Sequence, residues 1–203
     1  MSNMLDYENK YLSQGYTVIA GIDEAGRGPL AGPVCVASVI MPLDADKIID
    51  GVNDSKKLTE KKRNELFDKI IDAAYFFDIE YVNVDIIDKI NILEATKLGM
   101  NNAIKNLSIK PEVVLIDAVK INQPNIICES IIKGDALSYS IACASILAKV
   151  SRDRLMLELD EKYPNYNFKK HKGYGTKEHI ENLKKFGPCV EHRKSFIKNF
   201  VKD

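Results

Sequence analysis

The segment GIDEAGRGPLAGP, residues 21–33, carries the residues of this chain best suited to chemistry. Two adjacent carboxylates, Asp23 and Glu24, close an apolar, β-rich approach, TVIAGI, and Gly26, Arg27 and Gly28 follow directly. Acids beside a glycine-rich turn read as a metal site next to a phosphate cradle, because glycine lets the backbone turn sharply and come close to a ligand. Adjacent side chains on a regular strand point to opposite faces, so Asp23 and Glu24 serve one centre only if the strand ends or twists there. The glycines allow that. The spacing also approaches the Gly-x4-Gly-Lys-Ser/Thr loop of nucleoside triphosphatases. Arg27, however, stands where the phosphate-holding lysine belongs, Gly28 replaces the magnesium-binding hydroxyl, and two acids occupy the place of the phosphates. On spacing alone, a tight strand-to-helix turn with solvated acids is the other reading.

Two further acids sit at element ends. EVVLID finishes at Asp117, and Lys133-Gly134-Asp135 leads into a helical stretch. At Asp135 the competing role is an ordinary helix N-cap. Asp23, Glu24, Asp117 and Asp135 together offer four oxygen donors with no His or Cys nearby in sequence, which suits Mg2+ or Mn2+ rather than zinc. If they converge without metal, mutual repulsion raises some of their pKa values, and bound cations relieve it. Two ions about 4 Å apart would activate a water, hold a phosphate oxygen and stabilise the leaving oxygen of an in-line displacement.

The elements that must position these acids follow from apolar patterning. Residues 17–23 and 34–41 (VCVASVIM) predict strands joined by the glycine loop, and their near-continuous hydrophobicity places them centrally in a sheet. A helix is predicted from about Thr59, a plausible N-cap, to about Ala73, then a strand at 75–84 and a helix at 92–106. Strands at 112–117 and 126–132 come next, then a long helix from Asp135 to about Lys162, closed by Pro164. Beyond lie a loop at 164–175, a helix from Thr176 to Gly187-Pro188, and a last helix. This order predicts an α/β fold: a mixed sheet flanked by helices over about 15–163, with a basic helical C-terminal subdomain over about 164–203.

With 203 residues and 45% hydrophobic content, the chain suits one well-buried domain. Basic and acidic residues both number 29, so overall charge suggests no partner. Their distribution does: residues 169–203 hold ten Lys/Arg against four acids, a net +6, which suits a polyanion held by its backbone beside an acidic centre. A solvated lysine-rich helix face explains that charge equally well. Cys35, Cys128, Cys143 and Cys189 form no CxxC and have no histidine pair nearby in sequence, so they read as reduced core residues. No leader pattern or bilayer-length apolar run is present, and the cytoplasm is the default expectation.

The chain resembles bacterial ribonuclease HII, the type 2 ribonuclease H family, along nearly its whole length. The matching pieces are GIDEAGRGPLAGP at 21–33, NDSKKL at 53–58, NILEATKLGMNNAI at 91–104 and VLID at 114–117. KGDALSYSIACASILAKVSRDRLM at 133–156, HKGYGTKEH at 171–179 and HRKSF at 192–196 complete them. The resemblance implies a ribonuclease H-like sheet on which Asp23, Glu24, Asp117 and Asp135 are the metal-binding catalytic acids, with Mn2+ or Mg2+, two ions per site. It implies that Gly26, Arg27 and Gly28 sense the 2′-hydroxyl of the ribonucleotide beside the cut, together with Tyr174, which stacks on the following sugar. Without it, Tyr174 would read as a surface tyrosine. Lys56 matches a lysine that contacts the substrate backbone, and Ser145 and Lys149 also fit the pattern. One departure is local: Ala118 follows Asp117 where the family often has glycine, which reduces backbone freedom beside that acid.

The implied activity is endonucleolytic hydrolysis on the 5′ side of a ribonucleotide, in an RNA/DNA hybrid or in duplex DNA with embedded ribonucleotides, leaving 3′-hydroxyl and 5′-phosphate ends. The partner is that nucleic acid, with no membrane and no obligate second copy. Ribonuclease HIII, a relative, differs at the position of Arg27 and normally carries an added N-terminal domain, for which the sixteen or so residues before the first strand leave no room. The alternatives are a non-catalytic hybrid-binding module and a four-acid exonuclease. Four acids facing phosphate serve no pure binder, and a circular substrate with one internal ribonucleotide would resist an exonuclease.

Overall fold

The apolar runs of the sequence become the middle of a five-stranded mixed sheet in a computed structural model that describes residues 4–201. Residues 1–3 of the N-terminal stretch, and Lys202 and Asp203 of the basic C-terminal charge, lie outside the described residues. In chain order, α1 (Asp6–Leu12) precedes β1 (Ile19–Ala25), β2 (Val34–Ile40), α2 (Glu60–Ala73) and β3 (Phe76–Val82). Then come α3 (Val84–Ile90), α4 (Ile92–Asn106), β4 (Val113–Asp117) and β5 (Ile127–Ile131). The remainder is helical: α5 (Gly134–Leu137), α6 (Tyr139–Lys162), α7 (Phe168–His171), α8 (Lys177–Phe186) and α9 (Lys194–Ile197).

The strands lie in the order β3-β2-β1-β4-β5, with β2 antiparallel to both β1 and β3, and β4 parallel to both β1 and β5. Every residue of β2 is buried, as its unbroken hydrophobicity requires. Period-two alternation sorts its side chains. Cys35, Ala37 and Val39 pack with Leu66 and Ile70 of α2 and with Ala142 and Ile146 of α6. Val36 and Ile40 pack on the other side with Met100, Ala103 and Ile104 of α4. Burying each large apolar side chain of these layers is worth about 1.5–3 kcal/mol. Helix α6 crosses β1 so closely that a Cβ at Gly21 would lie 2.1 Å from the Ser140 carbonyl carbon. Gly21→Ala would therefore force helix and strand apart.

Helices α2 and α4 follow the predicted bounds, and Thr59 caps α2 by accepting from the Lys62 amide. Four features differ from expectation. The predicted helix over 135–162 breaks at Ser138, which is extended (φ −126°, ψ 128°) and caps α6 by accepting from Ile141 N–H. Its hydroxyl donates to Glu8 Oε1 (2.6 Å), and the same carboxylate oxygen accepts from the Ser140 amide (2.9 Å). So α1, which patterning did not reveal, is clasped to the start of α6. Helix α3 was also unforeseen; it stops at Asn91 (φ 67°), whose side chain accepts from the Leu93 and Glu94 amides and so starts α4. Finally, the predicted loop over 164–175 contains α7. Residues beyond 163 share apolar clusters with earlier ones: Tyr166 and Phe168 with Met156 and Ala31, and Leu183 and Ile197 with Leu30.

Candidate active site

Strands β1 and β4 are parallel neighbours with Ile22 paired to Ile116, so Asp23, near the end of β1, and Asp117, the last residue of β4, come side by side. Asp135 arrives from the first turn of α5, after Lys133 takes a left-handed conformation (φ 60°). One carboxylate oxygen from each of Asp23, Asp117 and Asp135 lies within 4.8 Å of the other two. Asp117 Oδ1 accepts from the Gly134 amide at 2.7 Å, which ties the α5 turn to the end of β4. Asp135 is therefore no cap for the long helix; its Oδ2 lies 3.5 Å from Lys56 Nζ. Ala118 sits at φ 52°, a left-handed conformation that costs an L-residue with a Cβ about 1–2 kcal/mol.

Glu24 stays outside the group of three. Strand β1 pairs with β2 through Glu24 and Ala25, so it does not end at Asp23, the first of the two ways in which both acids could serve one centre. Glu24 Oε1 meets Arg27 Nη1 at 3.2 Å, and its Oε2 is buried with no hydrogen-bond partner. Burial pushes the Asp23 carboxyl well above the usual range, and the charges of Glu24 and Asp117 push it further. Glu24 is raised by burial and by Asp117, with Arg27 opposing, and Asp135 by burial, Asp117 and Asp54, with Lys56 opposing. Lys56 is drawn down by its own desolvation and up by Asp135 and Asp23, and the net shift is upward. Crowded hard-oxygen donors, raised pKa values and an unpartnered buried oxygen are what a divalent cation would satisfy, so this donor set fits Mg2+ or Mn2+.

Asp23 and Glu24 line a cavity of about 230 Å³ whose rim includes Gly26, Arg27, Gly28, Lys56 and Tyr174. Gly26 has φ 94°, and a Cβ there would lie 2.0 Å from Arg152 Nε, so no other residue fits. A Cβ at Gly28 would stand 3.7 Å from the ring of Tyr174, which is 45% exposed. Ser145 hydrogen-bonds Asp23, and its hydroxyl lies 2.9 Å from that of Ser55. Lys149 lines the cavity and pairs with Asp153 at 2.7 Å. The structure thus brings Asp23, Asp117 and Asp135 together and sets Glu24, the glycine loop, Lys56 and Tyr174 around them.

Comparison with known proteins decides the family. The sequence profile described as Ribonuclease HII matches residues 20–199, a span that includes each residue named above as lining the site. The chain belongs to the ribonuclease HII family. It is 57% identical over 199 residues to ribonuclease HII of Caldicellulosiruptor bescii, covering 98% of this chain and 96% of that protein. To ribonuclease HII of Bacillus cereus it is 54% identical over 200 residues, covering 98% of this chain and 77% of that one. The crystal structure of ribonuclease H2 from Pyrococcus horikoshii superposes with a TM-score of 0.78 at 27% identity, over 92% of this chain and 100% of that one. RNase HII of Archaeoglobus fulgidus, solved as a PCNA:RNase HII complex, gives 0.76 at 28% identity, over 92% and 97%. As a ribonuclease HII, the protein is a hydrolase of the nuclease class with ribonuclease H endonuclease function, and the ribonuclease H family depends on divalent metal ions.

Within this ribonuclease HII site, sequence reasoning gave no role to the residues that hold the rim in place. Arg152, fully buried, donates to the carbonyls of Pro33, Lys172 and Ala31. The chain's three histidines gather nearby, with the His171 and His179 rings stacked at 4.4 Å. Their hydrogen bonds fix the tautomers. The Cys189 amide donates to His192 Nδ1 (3.0 Å), so the His192 proton is on Nε2, which donates to His179 Nε2 (3.0 Å). His179 then carries its proton on Nδ1 and donates to the Tyr174 carbonyl (2.9 Å). Cys189, expected without a histidine pair, has Sγ 3.2 Å from His192 Nδ1, but the two histidines are in series and do not converge on the sulfur. Burial lowers all three, His192 to about 4 with the adjacent His179 adding to the effect. The signal available beforehand was that all three histidines lie in the 171–192 stretch.

Proposed function

We propose that the protein hydrolyses the phosphodiester on the 5′ side of a ribonucleotide, in RNA/DNA hybrids and in duplex DNA with embedded ribonucleotides, leaving 3′-hydroxyl and 5′-phosphate ends. The observation that carries this reading is the approach of Asp23, Asp117 and Asp135 to within 4.8 Å from three separate segments, beside a glycine loop and Tyr174. Asp23, Asp117 and Asp135 would hold two Mg2+ or Mn2+ ions, with the free oxygen of Glu24 as a fourth donor. Such ions, when bound, would supply Lewis acidity for attack by water and charge for the leaving oxygen.

The chain's own residues do the rest. Ser145 and the Glu24 amide orient Asp23, and the Gly134 amide orients Asp117. Lys56, whose side chain is largely exposed beside Asp135, would meet a phosphate of the substrate backbone. Only the 2′-hydroxyl separates a ribonucleotide from its deoxy counterpart with the same base, so discrimination needs donors set against it. Main-chain groups of Gly26, Arg27 and Gly28 supply them, and the Tyr174 ring packs on the following deoxyribose. The basic C-terminal segment adds backbone affinity that falls as salt rises. The site lies within one chain, so we assign a monomer. Four unpaired cysteines suit a reducing cytoplasm, and no helix among the described residues is long and apolar enough to cross a membrane.

The test is a DNA duplex carrying one ribonucleotide, incubated with Mg2+, with Mn2+ and with EDTA. A single cut 5′ of the ribonucleotide in the metal-containing reactions is expected. Failure to cut this duplex, or cutting only from its ends, would remove the reading.

A further inference from the structure

Arg193, which follows His192 in the HRKSF motif at 192–196, lies beneath the rim loop. Arg193 is completely buried, and its guanidinium is bound by main-chain carbonyls of one loop. Nη1 donates to Arg27 O (2.8 Å), Nη2 to Gly26 O (2.6 Å) and Gly32 O (2.8 Å), and Nε to Gly32 O (2.9 Å). The main chain adds Arg193 N–H to Leu30 O and Gly32 N–H to Glu191 O, both 2.8 Å. Among the described residues no carboxylate forms an ion pair with this guanidinium. As mere filling it would be a poor choice, since a buried charge costs desolvation that an apolar side chain avoids.

What the guanidinium sets is direction. In a trans peptide, the C=O of one residue and the N–H of the next point opposite ways. Drawing the carbonyls of Gly26 and Arg27 inward therefore turns the N–H groups of Arg27 and Gly28 away from Arg193. Neither amide donates to a protein acceptor among the described residues. Both residues line the cavity beside Asp23 and Glu24, and Gly28 faces the Tyr174 ring.

We propose that Arg193 is a positioning residue for ribose recognition: by holding the carbonyls of Gly26 and Arg27 it presents the N–H groups of Arg27 and Gly28 to the substrate 2′-hydroxyl. This rests on the reading of that loop as the ribonucleotide sensor. Lysine cannot substitute, because a compact ammonium lacks the planar fork that reaches three carbonyls at once.

The experiment compares Arg193→Lys and Arg193→Met with the parent. Affinities for a duplex with one ribonucleotide and for the all-DNA duplex of the same sequence are measured by fluorescence anisotropy with Mn2+, on an Asp135→Asn background that suppresses cleavage. The ratio of the two affinities is expected to fall toward one, with all-DNA affinity unchanged. With Asp135 intact, kcat/KM of Arg193→Lys on the ribonucleotide duplex should drop by about 10- to 100-fold, from weaker binding of that duplex and a misplaced ribose together. A merely structural role would weaken both duplexes alike and preserve the ratio, and that result overturns the proposal. A parent protein that binds both duplexes equally would instead sink the sensor reading. Should neither variant fold, the parent decides by 15N-resolved NMR on the same background. The Arg193 guanidinium and the Arg27 and Gly28 amide signals should respond to the ribonucleotide duplex and not to all-DNA, and identical responses to both overturn the proposal.

Discussion

On the cavity floor, Asp23 is crowded by Asp117 and Asp135, its carboxyl is forced upward, and the neighbouring Glu24 keeps one oxygen without a partner. Behind the rim, His179, His192, Arg152 and Arg193 are just as buried, yet their ring and guanidinium nitrogens meet acceptors or donors in a directional set of hydrogen bonds. Both regions put polar groups in low dielectric, where an unpaired group is costly and a paired one rigid. The floor leaves its cost outstanding for a cation to relieve. The brace carries the desolvation of two buried guanidinium groups but meets their nitrogens with hydrogen bonds, and so gains a fixed geometry, which the floor alone could not impose on the loops that face substrate.

The largest expected effect separates these roles at once. Asp23→Asn should lower cleavage of a single-ribonucleotide duplex by at least about 100-fold, the scale of losing one preorganised electrostatic group. The same change should raise the melting temperature in EDTA, because it removes like-charge repulsion. A lower melting point in EDTA would mean the carboxylates are not in conflict. In the brace the sign reverses. His192→Ala should cost about 2–4 kcal/mol in denaturant unfolding, from a cavity plus unmet hydrogen-bond groups at Cys189 and His179. A change that proves neutral would show the histidine series to be dispensable.

Protonation sharpens the contrast. Asp23, Glu24 and Asp135 titrate higher when folded, so their contribution to metal-free stability is full below the ordinary carboxylate range and lost as pH rises through the raised values. His171, His179 and His192 titrate lower when folded, so theirs is present above about 6.5 and lost as pH falls, for His192 toward about 4. Mn2+ competes with protons at the carboxylates alone. The melting-temperature gain from Mn2+ should therefore grow as pH is raised from about 4 to about 7. A pH-independent gain in a melting series would place the metal elsewhere. The smallest effect expected is at Ala118. Ala118→Gly should stabilise by about 1 kcal/mol by relieving the left-handed conformation beside Asp117, as read by chemical denaturation.

How far the sequence reaches is clear from individual residues. β2 was legible because a strand buried on both faces must be apolar throughout, and α2 because Thr59 is a capping residue before an amphipathic stretch. Asp117 was legible as the acid closing a buried strand. The break at Ser138 was not, since its reason is a carboxylate 130 residues earlier in the chain, and such a partner leaves no local pattern. The pairing of β1 beyond Asp23 escaped for the same kind of reason: it depends on β2, and it leaves Glu24 outside the trio. Arg193 was counted in sequence only as part of the basic C-terminal charge, and Arg152 drew no role of its own, because their partners are carbonyls, which any residue offers.

The clasp at Ser138 carries a consequence for handling the protein. The turn bearing Asp135 ends at a joint gripped by Glu8, so cleavage between α1 and β1 would spare every strand while freeing the downstream edge of that turn. A preparation nicked there would keep its secondary-structure signal and yet bind divalent ions loosely, and intact mass is the attribute to verify before low activity is blamed on the chemistry.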